Sequence, residues 1–99
     1  MMTKNYEEMI DARMEDLERL AALTLHNGNI ATMAEMGADS LRAKALQFPE
    51  GNGQREMYRL LGAAATIQAR NLREEADRNR QCSKVAILNF NLDFPSHRI

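Results

Sequence analysis

The sequence predicts an all-α protein, a small domain of three helices in which helices two and three form an antiparallel hairpin, followed by an extended or strand-like C-terminal tail. Three observations support this. Apolar residues recur at intervals of three and four along most of the chain, and turn-forming residues interrupt the pattern at 27–29 and 49–53. The last segment instead alternates apolar and polar residues. We therefore expect a helical domain over residues 1–84 and a tail over residues 85–99.

The first predicted helix begins at Asn5, whose side chain can cap backbone donors while Glu8 reaches back in a capping box. Its apolar stripe consists of Tyr6, Met9, Ile10, Met14, Leu17, Leu20, Ala21 and Leu25. The outer face is acidic and consists of Glu7, Asp11, Glu15 and Glu18. We expect this helix to end at Asn27-Gly28-Asn29, because a glycine readily takes the left-handed conformation of a helix end. A helix that continues through the tripeptide is the alternative.

The second and third predicted helices flank the turn "PEGNG". The second ends near Gln47 because Pro49 disfavours helical geometry in the residue before it. Its stripe is Ile30, Met33, Ala34, Gly37, Leu41, Ala45 and Phe48. The third starts near Gln54, with the stripe Met57, Leu60, Leu61, Ala64, Ile67 and Leu72. A hairpin folded about the turn places Leu41 opposite Leu60, and Gly37 opposite Ala64, so that small residues let the two backbones approach closely.

The C-terminal stretch "AILNFNLDF" has the period of a half-buried strand, because its large apolar residues alternate with Asn and Asp. A soluble monomer rarely leaves such an apolar surface uncovered. The protein's own helices, a second copy of the chain and a foreign protein are the three candidates that could cover it. The candidate partner-binding residues are Leu88, Phe90, Leu92 and Phe94.

The length and composition of the chain restrict the classes of protein to which it can belong. A chain of 99 residues holds one domain with a modest core, so we expect a homo-oligomer. Cys82 is the only cysteine, which excludes an intrachain disulfide and favours the cytoplasm. The apolar runs are far shorter than the roughly 20 residues that span a bilayer, so we expect no membrane partner.

The arginines of the third predicted helix share one angular position over five helical turns and are candidates for contact with an anion or a nucleic acid. They are Arg55, Arg59, Arg70 and Arg73. Acidic residues interrupt the stripe at 74–77, and no aromatic residues are interleaved for base stacking. The same arginines could instead pair with acidic residues of this protein. Nucleic acid is therefore the less favoured partner.

The chain has no recognisable catalytic or cofactor motif. His26, His97 and Cys82 are too widely spaced to predict a zinc site. We expect no catalytic residue, no cofactor and no metal. The predicted function is that of a small non-enzymatic interaction protein, oligomeric, which binds and masks or scaffolds a protein partner, as do accessory or inhibitor proteins encoded by phage and other mobile elements. The alternative is a nucleic-acid-binding regulator that uses the arginine stripe.

Overall fold

The structure is a computed structural model that describes the chain from residue 2 to residue 99, with side chains from residue 5 onward. Two long helices, α1 (Met2–Ala45) and α2 (Gly53–Asp93), are followed by a short 3₁₀ turn, Pro95–His97. The chain divides into two compact units. The terminal unit comprises the residues up to His26 and from Asp77 onward, and the turn unit comprises residues 27–76. In each unit a segment of α1 packs against a segment of α2 that runs in the opposite direction.

The prediction of three helices is wrong, because α1 continues without a break through Asn27-Gly28-Asn29. A glycine inside a helix costs only about 1 kcal/mol relative to alanine, so Gly28 weakens the helix without ending it. The next turn of α1 is well supported, since Ala31 is fully buried and the Thr32 hydroxyl donates a hydrogen bond to the Gly28 carbonyl at 3.0 Å. At the other end α1 begins before Asn5, so the predicted capping box does not start it.

The extended or strand-like tail is also wrong, because α2 runs to Asp93 and only a short 3₁₀ turn follows it. The apolar residues that alternate along the segment are also four residues apart in pairs, Leu88 with Leu92 and Phe90 with Phe94. A spacing of four places both members of a pair on one face of a helix. The same sequence pattern is therefore compatible with a strand and with a helix. Within residues 2–99 the structure contains no strand.

The turn between the helices lies where Pro49 and the glycines predict it. Gly51 has φ +79°, the left-handed conformation that a glycine adopts without strain. Asn52 caps α2, since its side-chain oxygen accepts a hydrogen bond from the Gln54 amide at 2.8 Å. The ring of Phe48 stacks on that of Tyr58 with centroids 5.8 Å apart, which joins the two ends of the turn. The turn unit is therefore an antiparallel helical hairpin.

Small residues at intervals of seven form the interior of the turn unit. We call them the small-residue seam: Ala31, Ala38, Ala45, Gly62, Ala69 and Ala76. The five alanines are at most 5% exposed. A seven-residue repeat on both helices is the pattern of a coiled coil, and side chains this small let the helices approach closely. A Cβ added to Gly62 would lie 3.0 Å from Cγ and 3.4 Å from the backbone nitrogen of Arg42.

The predicted register of the hairpin is wrong in detail. The sequence predicts Gly37 opposite Ala64, but no atom lies within 4 Å of the position that a Cβ would take on Gly37. The close approach instead lies between Gly62 and the residues Leu41 and Arg42. Of the large residues in the predicted stripe of the third helix, Leu72 is half-buried. The others, Met57, Leu60, Leu61 and Ile67, are exposed.

The terminal unit has an interior of large side chains. Ile10, Phe90 and Phe94 form its buried cluster, and Leu17 packs against it. Phe90 is completely buried. Farther along the pair, the hydroxyls of Thr24 and Ser83 lie 2.8 Å apart and form a hydrogen bond between the helices.

Candidate interaction surfaces

The four candidate partner-binding residues of the C-terminal segment are divided into two pairs. Phe90 and Phe94 lie inside the terminal unit and are at most 2% exposed. Leu88 and Leu92 are 58% and 66% exposed, on the face of α2 that points away from that interior. The helix thus separates side chains that a strand would have placed on one face. Leu88 and Leu92 are the members of the set that a partner can reach.

Polar and aromatic contacts hold the buried pair in place. The Arg13 guanidinium lies 5.3 Å from the centroid of the Phe94 ring and donates a hydrogen bond to Asp93 at 2.9 Å. The Tyr6 ring packs edge-on against the Phe94 ring with centroids 5.6 Å apart. These contacts close the end of the helix pair and give Phe94 a structural role in the terminal unit.

An apolar groove of about 230 Å³ lies on the surface of the terminal unit. Its lining consists of Met14, Leu17, Glu18, Leu20, Ala21, Ser83, Ile87 and Ile99. Ile99 is held there by Asn91, whose side-chain oxygen accepts a hydrogen bond from the Ile99 amide at 2.9 Å. The groove has the size of a few aliphatic side chains. It has no convergent set of polar groups of the kind that orients a small-molecule ligand.

The four candidate arginines do not form one free stripe. Arg55 is only 17% exposed and donates a hydrogen bond to the Phe48 carbonyl at 3.1 Å, so it helps to fix the turn. Arg59 lies 3.0 Å from Glu56 of the same helix. Both line a groove that they share with Arg42, Ala45 and Leu46.

Arg70 and Arg73 line a different groove, of about 440 Å³, between α1 and α2 in the turn unit. The Nε of Arg73 donates a hydrogen bond to Glu35 at 2.7 Å, and a second nitrogen donates to the Thr32 hydroxyl at 3.0 Å. Three arginines and three acidic residues surround the groove, so it has no net charge to attract a phosphate. Its full lining is Glu35, Ala38, Asp39, Arg42, Thr66, Ala69, Arg70, Arg73 and Glu74.

This groove defines a polar flank of the turn unit, made of Glu35, Arg42, Thr66 and Arg73. Each of these residues follows a seam residue by four positions. Besides the Arg73 contacts, an Arg42 nitrogen donates a hydrogen bond to the Thr66 hydroxyl at 2.6 Å. Arg42 also pairs with Asp39 of its own helix. The polar contacts between the helical segments of the turn unit lie on this flank.

Large apolar residues of α2 lie on the outside of the turn unit. We call them, with one alanine among them, the outward stripe: Met57, Leu60, Leu61, Ala64 and Ile67. The four large side chains are between 47% and 69% exposed. On α1, Met33 is 71% exposed and Met36 is 64% exposed. The residues of the outward stripe recur at intervals of three and four, which predicts a buried helix face. The described part of the chain instead leaves this face exposed.

Two further features concern sites and membranes. Within the described residues, no group of three or more His, Cys, Asp and Glu side chains is arranged to hold a metal ion. The single cysteine, Cys82, is exposed and is not part of such a group. In the same part of the chain, neither long helix contains a segment apolar enough to cross a bilayer.

Comparison of the sequence and the structure with protein-family models, curated proteins and solved structures finds no match.

Proposed function

We propose that this chain is a small non-enzymatic interaction protein that binds a protein surface and masks or scaffolds its partner. One observation carries the proposal. The turn unit buries alanines and a glycine between its helices, whereas Met57, Leu60 and Ile67 lie on its surface. A soluble monomer rarely exposes so continuous an apolar stripe, and a recognition surface is its usual purpose.

The composition of the exposed face supports the same proposal. Methionine has a flexible side chain that adapts to different shapes, and Met33, Met36 and Met57 are all accessible. Helices that present apolar residues at i, i+3, i+4 and i+7 bind other helices or helix-binding grooves. The lone, exposed Cys82 is consistent with a reducing cytoplasm as the compartment.

The competing proposal is a nucleic-acid-binding regulator that uses the arginines of α2. The ion pairs of Arg59 with Glu56 and of Arg73 with Glu35 weigh against it, because a phosphate would have to displace an acidic partner already in place. Binding to duplex and single-stranded oligonucleotides at low and high salt tests it directly. Salt-sensitive binding that Arg70→Glu abolishes would favour this function over the protein-binding one.

Site-specific photo-crosslinking in the native cell tests the protein-binding function. A benzophenone amino acid replaces Leu60 in the outward stripe or, as a matched control, Leu46, which is 72% exposed and lines a groove with Arg42 and Arg59. We expect a discrete protein adduct from position 60 and none from position 46. The adduct can contain a foreign protein or a second copy of the chain. An adduct from neither position, or the same adducts from both, would contradict the proposal.

A further inference from the structure

The side of α2 that points away from α1 has a seven-residue repeat of its own. Inward residues of α2 recur every seven positions from Arg55 to Phe90, and all of them are buried or half-buried. Successive residues are rotated by about 100°, so positions two and five residues after an inward residue lie on the opposite side of the helix. Every such position from 57 to 92 is exposed. We call these positions the outer repeat: Met57, Leu60, Ala64, Ile67, Asn71, Glu74, Arg78, Gln81, Val85, Leu88 and Leu92.

The outer repeat is apolar at both ends and polar in the middle. In the turn unit Leu60 and Ile67 are 69% and 58% exposed. In the terminal unit Val85, Leu88 and Leu92 are between 55% and 66% exposed. The four members between these ends are polar: Asn71, Glu74, Arg78 and Gln81. A repeat with this spacing over about five heptads is typical of a helix that packs along another helix in a coiled coil.

We propose that the outer repeat of α2 pairs, in antiparallel orientation, with the outer repeat of a second copy of this chain. The turn-unit end of one copy then contacts the terminal-unit end of the other copy, and a twofold axis repeats the contact. This inference rests on the proposed function and names the partner. Each exposed apolar end thereby covers an apolar end of the other copy, which removes both from water.

An antiparallel pairing centred on residue 76 matches the chemistry of every layer from Leu60 to Leu92. Residues at equal distances before and after position 76 then lie opposite each other. In the second copy the residues Leu92, Leu88, Val85, Gln81 and Arg78 lie opposite, in that order, Leu60, Ala64, Ile67, Asn71 and Glu74. Three layers are apolar, one brings together two amides that can exchange hydrogen bonds, and one brings together opposite charges. The twofold axis gives the dimer each layer twice.

Other arrangements of the two copies bring unlike residues together. A shift by seven residues in either direction sets Ile67 against Arg78, or Val85 against Glu74, of the second copy. A parallel pair sets Glu74 against Glu74 and Arg78 against Arg78. Burying a charge against an apolar or like-charged residue costs free energy, so the polar middle selects the antiparallel pairing and its register. The charged residues beside the layers stay at the solvated rim, where ion pairs contribute little; they are Arg70, Glu75, Asp77 and Lys84.

The same match favours a second copy over a foreign helix. A partner helix must be apolar where Leu60 and Ile67 meet it, and must carry an amide and then a cation farther along. The terminal-unit half of α2 has these residue types in that order and at that spacing. The complement of the outer repeat is therefore present in the chain itself.

Sedimentation equilibrium of the purified chain over a wide range of concentrations tests the association. We expect the mass of a dimer for the wild type and of a monomer for Leu60→Glu and for Leu88→Glu. Leu46→Glu is the matched control and should remain dimeric, because Leu46 is as exposed as Leu60 but lies outside α2. Circular dichroism and unfolding below the dissociation constant establish that each monomer folds. The side chains of Leu60 and Leu88 are exposed, so their loss should leave the stability of the monomer nearly unchanged.

Charge reversal tests the orientation and the register of the pair. Glu74→Arg sets two arginines against each other, and Arg78→Glu sets two glutamates against each other. Each should raise the dissociation constant at least about tenfold, since the like charges meet twice in the dimer. The double variant restores opposite charges and should return the dissociation constant to near its wild-type value. A role of Glu74 and Arg78 confined to their own chain would not produce this rescue.

Disulfide formation between copies measures the register directly. In a Cys82→Ser background, a chain with Asn71→Cys is mixed with a chain that carries Gln81→Cys, in a glutathione buffer. We expect a crosslinked dimer of the two different chains. The matched control replaces Gln81→Cys by Leu88→Cys, which lies on the same side of α2 but seven residues away. It should give no crosslink.

Four outcomes would overturn the inference: a monomeric wild type, an oligomer larger than a dimer, a double charge variant that does not recover, or a crosslink to position 88 in place of 81. The fate of the proposed function is separate. If a monomeric wild type still gives an adduct from position 60 with a foreign protein, the proposed function stands and only the second copy is rejected.

Discussion

The terminal unit and the turn unit are built from segments of the same two helices, yet their interiors are opposite in kind. The terminal unit buries Phe90, Phe94 and Ile10, with aromatic rings in contact. The turn unit buries small residues at every seventh position of each helix, five alanines and Gly62. In both units the inward positions recur every seven residues, so the two interiors differ in side-chain size and not in the spacing of inward positions.

The difference shows what each interior contributes. Burying a large apolar side chain stabilises the folded state by about 1.5–3 kcal/mol, whereas an alanine removes little apolar area from water. The alanine seam instead determines how closely the helices approach and where they meet. The large apolar residues of the outward stripe are exposed and bury little area within one chain, whereas Leu41 and Leu72 of the same unit are half-buried. The terminal unit thus has the larger apolar interior, and the turn unit has the larger exposed apolar surface.

The largest effect should come from truncating the interior of the terminal unit. Phe90→Ala removes a completely buried ring, and we expect the free energy of unfolding to fall by about 3–5 kcal/mol because a cavity remains. Urea unfolding at a fixed protein concentration measures the change. Leu88→Ala is the control, since Leu88 is 58% exposed two residues away and should change the free energy of unfolding by less than about 0.5 kcal/mol. Equal effects of the two variants would mean that Phe90 is not the main interior residue.

In the turn unit we expect the largest loss of stability from a substitution that enlarges a side chain at the small-residue seam. Gly62→Val places a branched side chain where even a Cβ would lie 3.0 Å from Arg42, and we expect a loss of about 1–3 kcal/mol in the free energy of unfolding. Gly28→Val is the control, because no atom lies within 4 Å of a Cβ at Gly28. Thermal unfolding of both variants gives the comparison. If Gly62→Val unfolds at the wild-type temperature, the helices are farther apart at the seam than the structure shows.

The units also differ in how far their sequences predict them. Three- and four-residue spacing correctly predicts helix over most of the chain, and Pro49 with its neighbouring glycines correctly predicts the turn. For the interior, the sequence offers two competing stripes on α2. One has large residues, such as Leu60 and Ile67, and the other has Gly62 and Ala69. Hydrophobicity favours the first, and the structure buries the second because only small residues permit the close approach.

The errors in the terminal unit have a different origin. Alternation over Leu88–Phe94 has period two, but the segment is short enough for residues four apart to satisfy a helix as well. The helix prevails because the preceding residues already form α2 and a strand there would have no partner within the described chain. The candidate surface of the turn unit was visible in the sequence as a helical stripe. The sequence does not show that this stripe points outward, because its exposure depends on which stripe of α2 is covered by α1.

A smaller effect should come from the charge that closes the terminal unit. Arg13→Met removes the hydrogen bond to Asp93 and the cation over the Phe94 ring, and we expect a loss of about 1 kcal/mol in the free energy of unfolding. Arg19→Met is the control, because Arg19 pairs only with the exposed Glu15 and Asp16 of its own helix. It should change the free energy of unfolding by a few tenths of a kcal/mol. An equally large loss from Arg19→Met would show that the aromatic contact of Arg13 contributes nothing.

The smallest predicted change is an increase in the free energy of unfolding, and it tests whether α1 is one continuous helix. Gly28→Ala should raise the free energy of unfolding by about 0.5–1 kcal/mol, because alanine favours the helix and its Cβ meets no atom within 4 Å. Gly51→Ala should lower it by a similar amount, since Gly51 has φ +79° and alanine is strained there. Thermal unfolding measures both. If Gly28→Ala instead destabilises the protein as Gly51→Ala does, Gly28 is a left-handed helix end in solution, and α1 is two helices.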